Sequence, residues 1–164
     1  MKKKLISFIR QKVCGGKTPV LYDGEYYYYN NGAMIMRTKE KLLESEPLTN
    51  SLSRNFFKSL EEFEDKRFEF PDISEIINGI KSCNVKSHEI VGVKFTEDSP
   101  IINARWLKDA IKATNAKGMY YFPQKGKFSP VLLYEEDNCM SDNTLLILPI
   151  NSNTESLGYR YYSH

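Results

Sequence analysis

The chain of 164 residues is short of the residue types from which most catalytic and metal sites are built. It has three cysteines (Cys14, Cys83 and Cys139), far apart and with no C-x-x-C pair, and two histidines (His88 and His164). That spacing excludes a zinc module and a Cys/His catalytic pair. An odd cysteine count without a secretory apolar region points to a reducing compartment, so a cytoplasmic protein is expected. The start, Lys2-Lys3-Lys4 before Leu5-Ile6-Ser7-Phe8-Ile9, imitates a signal peptide, but Arg10-Gln11-Lys12 breaks its apolar run. No stretch approaches the length of a membrane span, and no membrane partner is expected. Charge of one sign is scarce as well: 23 Lys and Arg against 21 Asp and Glu leave +2. Any nucleic-acid binding must therefore come from local clustering of cations.

What is abundant is aromatic, with 11 Tyr and 9 Phe, a composition that leans toward strands. The length suits one domain with a hydrophobic core of its own, here 1–150, followed by a polar tail, 151–164. Residues 2–13 read as an amphipathic helix, with Leu5, Ile6, Phe8, Ile9 and Val13 on one arc and Lys3, Lys4, Ser7, Arg10 and Gln11 opposite. Gly15-Gly16 stops it. Asp23-Gly24 and Asn31-Gly32 supply the positive φ that tight hairpins need, so Val20 to Arg37 reads as a three-stranded antiparallel meander. Residues 38–69 are rich in Glu, Lys, Ser and Asn and read as a mobile or partly helical insertion. Asp72 or Ser74 is a candidate cap for a short helix through Ile80. His88 to Phe95 reads as a strand, with Gly92 a candidate bulge.

Asn103 to Ala116 carries the clearest helical pattern, with Asn103 as N-cap, Lys117-Gly118 as the close, and Leu107, Ala110, Ile111 and Thr114 on the core face. Arg105, Lys108 and Lys112 form a basic stripe on the far side. Three strands follow, over 119–122, 130–135 and 144–150. The same order, a helix and then strands, thus occurs twice, each helix with basic residues turned from its core. The fold expected is α+β, two short helices on one face of an antiparallel sheet.

No active site is specified. Gly15-Gly16-Lys17-Thr18 has the ending of a phosphate-binding loop but lacks its first Gly, at Gln11, and lies after a helix rather than after a strand. No Ser sits in a G-x-S-x-G elbow. The acidic runs at 61–65 and 135–137 read as solvated faces, so no catalytic residue, metal or cofactor is expected. The stripe of Arg105, Lys108 and Lys112 has two readings, an ordinary exposed face partly paired with Asp109, or a row of cations for a phosphate backbone. Lys3, Lys4 and Arg10 have the same two. Tyr159-Arg160-Tyr161-Tyr162 reads as an edge strand, as a tail offered to a partner's groove, or as a stacking platform for single-stranded nucleic acid.

The run Asn103-Ala104-Arg105-Trp106-Leu107-Lys108-Asp109-Ala110-Ile111-Lys112-Ala113 resembles the helix motif of the last domain of the bacterial DNA polymerase III β sliding clamp, roughly N-x-R-Y-L-x-D-A-L-K-A. Ser129-Pro130-Val131-Leu132 resembles that family's Ser-Pro strand, and Leu146 to Ile150 its closing apolar strand with an internal Pro. Tyr29 to Met34 resembles a strand ending in a T-D-G-like turn, and Phe70-Pro71-Asp72-Ile73 a segment that connects clamp domains. The resemblance is good over 88–150, weak over 18–37 and absent over 38–69. Trp106 stands where the family has Tyr, and the chain has room for one such domain rather than several.

The resemblance implies a single clamp-like domain and a non-enzymatic accessory of DNA replication or repair, of a size that would suit a phage or mobile element. It implies double-stranded DNA as a non-specific partner, met by Arg105, Lys108, Lys112, Lys3, Lys4 and Arg10. It implies a DNA polymerase or other replication protein at a groove near Leu148, Pro149 and Ile150, where plain core strand is the competing reading. Tyr159 and Tyr161 of the tail are further partner candidates. Enclosing a duplex would take about half a dozen copies in a closed ring. The alternative is a monomeric interaction protein of the same fold that binds a host replication or defence protein.

Overall fold

Among the described residues eight strands form one sheet, in the order β4 (Leu48–Thr49), β1 (Val20–Tyr22), β2 (Tyr27–Asn30), β3 (Met34–Thr38), β10 (Thr144–Ile147), β9 (Val131–Tyr134), β8 (Gly118–Tyr121) and β5 (Phe68–Phe70), and three more form a second, in the order β11 (Tyr159–Arg160), β6 (Gly92–Lys94) and β7 (Ile101–Asn103). The computed structural model describes residues 2–13, 20–44, 47–49, 52–70, 73–82, 91–135, 143–150 and 159–160, and at 2, 3, 49, 52, 64, 159 and 160 the backbone alone. The architecture is α+β, with a large, almost wholly antiparallel sheet and short helices.

The meander is β1 (Val20–Tyr22), β2 (Tyr27–Asn30) and β3 (Met34–Thr38). Its two turns are built alike. Asp23 Oδ1 accepts the N–H of Glu25 and Tyr26, Asn31 Oδ1 accepts those of Ala33 and Met34, and Gly24 and Gly32 take φ of +99° and +87°. β10 (Thr144–Ile147) joins this half to the other: Leu145 pairs with Met36 of β3 on one side and with Leu133 of β9 (Val131–Tyr134) on the other. β8 (Gly118–Tyr121) and β5 (Phe68–Phe70) continue the sheet to one edge, and β4 (Leu48–Thr49) closes the other in parallel with β1.

Both faces of this sheet are buried. On one, Tyr29, Met34, Met36, Met119, Leu133 and Leu145 meet α1 (Lys2–Phe8), α3 (Ile73–Ser82), α4 (Ala104–Thr114) and the β6–β7 hairpin. On the other, Tyr28, Ile35, Tyr120, Leu132 and Leu146 meet Phe57 and Leu60 of α2 (Leu52–Glu61). The two predicted helices do share a face. The segment 38–69, read as a mobile or partly helical insertion, does carry a helix: it supplies β4, α2 and most of β5, and α2 roofs the second face. Burial on both faces is why β3, β8 and β10 are buried at every position instead of alternating.

α1 runs on into a π-helical turn, Ile9–Val13, which keeps Ile9 and Val13 buried. Asn103 caps α4 as expected, its Oδ1 accepting the N–H of Arg105 and Trp106. The end of α4 differs from expectation. Asn115, left-handed at φ 52°, closes the helix, while Gly118 opens β8. A Cβ on Gly118 would fall on the ring and hydroxyl of Tyr134, which explains a glycine there by close approach rather than by capping. In the small sheet, β6 (Gly92–Lys94) pairs antiparallel with β7 (Ile101–Asn103). Gly92 stands in register opposite Asn103, so there is no bulge.

A matching latch holds each hairpin of the second half. Ser99 Oγ accepts the N–H of Phe95, and Ser129 Oγ accepts that of Phe122; the Ser129 hydroxyl donates to the Pro130 carbonyl at 2.8 Å, and that of Ser99 to the Thr96 carbonyl at 3.0 Å with the Pro100 carbonyl at 3.3 Å. The β11 segment (Tyr159–Arg160) adds in parallel to β6, which answers the tail question in favour of an edge strand at those two residues.

Candidate nucleic-acid interface

α1 and α4 lie side by side, and between them opens a groove of about 520 Å³. α4 reaches it because Ala104, Leu107, Ala110, Ile111 and Thr114 turn into the core, leaving Asp109, Lys112 and Ala113 on the side that faces α1. From α1 come Lys4, Ser7 and Phe8, and from the π-turn that follows it Gln11 and Lys12. Phe8 is buried at the back of the groove, and Lys4, Lys12 and Lys112 are exposed around it. Gln11 Nε2 donates to Ser7 Oγ across one turn, at 3.2 Å. Among the described residues no ion pair within 4.0 Å involves Lys4, Lys12, Lys112 or Asp109. The pairing of the basic stripe with Asp109 that the bland reading calls for is therefore absent there.

The structure brings together some of the expected cations and separates others. Lys4 and Lys112 meet in the groove. Arg105 and Lys108 lie along the same stripe of α4 but are half-buried and do not line the groove, and Arg10 is exposed on the π-turn after α1, outside it. The side chain of Lys3 lies outside the described residues. Lys12 is the cation missed. At 3.6 residues per turn it falls about 80° from Lys4, off the face. The π-turn holds more residues per turn, rotates less per residue, and swings Lys12 back into line. Three lysines around one groove can hold a chain of phosphates by charge alone, with no readout of bases.

The other candidates sit elsewhere. Leu148, Pro149 and Ile150 are half-buried beyond β10; the Leu148 N–H donates to the Ala33 carbonyl and that of Ile150 to Ile101, which ties the two sheets together. Tyr159 is placed by its backbone in β11, and Tyr161 lies outside the described residues. So do His88, His164, the three cysteines, Gly15 to Thr18, and Glu136-Asp137. Among the described residues no group of three or more His, Cys, Asp or Glu is arranged for a metal ion, and no helix is long and apolar enough to cross a membrane.

No family model matches the chain, and no curated protein matches it. Among solved structures the chain is similar to the beta subunit from DNA polymerase of Streptococcus pyogenes, with a TM-score of 0.47 and 11% sequence identity over 92% of this chain and 64% of that one, so it spans less than two thirds of that subunit's length.

Proposed function

We propose that the protein is a non-enzymatic, sliding-clamp-like accessory of DNA replication or repair, which lies along duplex DNA through the groove between α1 and α4. The observation that carries this reading is the convergence of Lys4, Lys12 and Lys112, from two helical segments, on one open groove that holds a single carboxylate, Asp109, with no ion pair within 4.0 Å to any of the three lysines among the described residues. Cations without partners are free to replace the counter-ions of a phosphate backbone. The helix-plus-strands halves and the motif from Asn103 to Ala113 support the clamp-like part of the reading. Arg105, Lys108 and Arg10 flank the contact, and the half-buried strip Leu148-Pro149-Ile150 is the surface proposed for a polymerase or other replication protein.

The double variant Lys4→Glu/Lys112→Glu tests it, with duplex binding followed by fluorescence anisotropy across a salt series. Binding is expected to weaken about tenfold or more at low salt, and the slope of log K against log salt to fall by about 2, close to 0.9 for each lost contact. Both residues are exposed, so the thermal melt should be unchanged. Failure of the unaltered protein to bind duplex at low salt would overturn the reading. A partner-binding monomer, using the 38–69 segment or the tail, would then remain, identified by loss of its protein partner when 151–164 is removed.

A further inference from the structure

Asp109 is the single acid among the residues that line the α1–α4 groove. It sits half-buried on α4, one turn after Arg105 and one turn before Lys112. Helical spacing puts its Cβ about 6 Å from those of both cations, close enough for either to reach it. Neither does. Among the described residues no ion pair within 4.0 Å and no hydrogen bond engages Asp109. The Gln11 amide, another donor in the groove, is turned to Ser7 Oγ at 3.2 Å. No contact among the described residues thus accounts for a carboxylate at that place, and its charge faces whatever enters the groove.

We infer that Asp109 limits the grip of the groove on duplex DNA: it repels the phosphates that Lys4, Lys12 and Lys112 draw in, and so sets how quickly the protein lets go. The inference rests on the reading of the groove as a duplex-binding site. A phosphate held by Lys112 lies about 6–8 Å from a carboxylate one turn away on the same helix. Two like charges at that distance repel enough to weaken binding about threefold in water, and more near a protein surface, where the effective dielectric is lower. Three lysines outweigh one carboxylate, so the groove still attracts a polyanion, but less tightly than its cations alone would hold it. The repulsion acts at contact distance, on DNA already bound, and so belongs to dissociation rather than to encounter. A contact that is broken and remade as a protein slides along DNA is served by this balance, which attracts the backbone without locking onto it.

Asp109→Asn, which keeps the shape of the side chain and removes its charge, is the test. Duplex binding and dissociation are followed by fluorescence anisotropy in about 0.1 M salt, where charges more than about 10 Å away are screened. The variant should bind duplex about threefold tighter or more, with the gain in a slower dissociation rate. Asp109→Glu, which keeps the charge, should stay within about twofold of the unaltered protein. Glu97→Gln, at an exposed acid of the β6–β7 turn that lines no part of the groove, should leave binding unchanged. Duplex binding by the unaltered protein with no tightening in Asp109→Asn, or with equal tightening in Glu97→Gln, would overturn the inference and leave the duplex reading standing. Absence of binding by both the unaltered protein and Asp109→Asn would overturn the duplex reading and the inference with it, and binding by Asp109→Asn alone would support both.

Discussion

Tyr134 shows how one side chain governs several neighbours. Its ring occupies the space that a side chain on Gly118 would take, and its hydroxyl donates to Glu69 Oε1 at 2.9 Å, tying β9 to edge strand β5 across β8. Burial is the main reason its phenol is pushed up from 10.0 to about 12, and the bond to Glu69 adds to it. Tyr28, buried and bonded to Asp23, is raised as well. A phenol whose pKa is higher in the folded chain keeps its proton more tightly there, so its contribution is fully present below pH 10.0 and is lost as pH climbs toward the folded value. Stability measured by denaturant unfolding should therefore fall between pH 10.0 and about 12. Tyr134→Phe should lower stability at neutral pH by about 1 kcal/mol for the lost hydrogen bond, and should make the alkaline fall shallower. An equally steep fall in that variant would show that Tyr134 has no part in it.

At the level of elements, α2 is the piece that the sequence hides. Its pattern is interrupted by Asn55 and Ser59, and its surroundings are polar, so 38–69 reads as a mobile or partly helical insertion. Yet Leu60 is fully buried against the second face of the sheet. Leu60→Ala should destabilise the fold by about 2–5 kcal/mol, the usual cost of a cavity at a packed leucine; an effect below about 0.5 kcal/mol in chemical unfolding would return the segment to the status of an insertion. The hairpins and α4 are legible because their signals are local: an Asx side chain beside a Gly at each turn, and Asn103 at the helix start. The second layer is not local. Its trace in the sequence is indirect, in continuous apolar runs such as Leu145-Leu146-Ile147, which mark a strand buried on both sides. The candidate groove was half legible for a similar reason. Lys4 and Lys112 follow from helical periodicity, whereas Lys12 depends on a π-turn that no such period predicts.

For the molecule as a whole, the question is how one domain of 19.0 kDa would stay on DNA. On the proposed reading, a single groove with three lysines would give contacts that salt weakens and that let go quickly. Encirclement would remove that limit, and it needs copies joined head to tail until the rotation closes. The large sheet ends at β4 and β5, beyond which no strand lies among the described residues, and an open strand edge is a template for another chain. Both edges are short: β4 has two residues, with Leu48 57% exposed, and β5 has three, with Glu69 in it and Arg67 just before it placing charge there. Two or three backbone pairs bury far less than the roughly 1,600 Å² of a standard interface, so on the proposed reading edge pairing by itself would give only weak self-association, which DNA would have to reinforce. Light scattering on a sizing column should accordingly show a mass near 19.0 kDa for the free protein at low concentration, and a rise toward about six copies when duplex is added at low salt. A protein that binds duplex and stays at one copy would keep the groove and exclude the ring. Leu48→Lys, which puts a charge on the β4 edge, should abolish the rise in mass while leaving single-copy binding intact, and persistence of the large species in that variant would show that the copies meet through another surface.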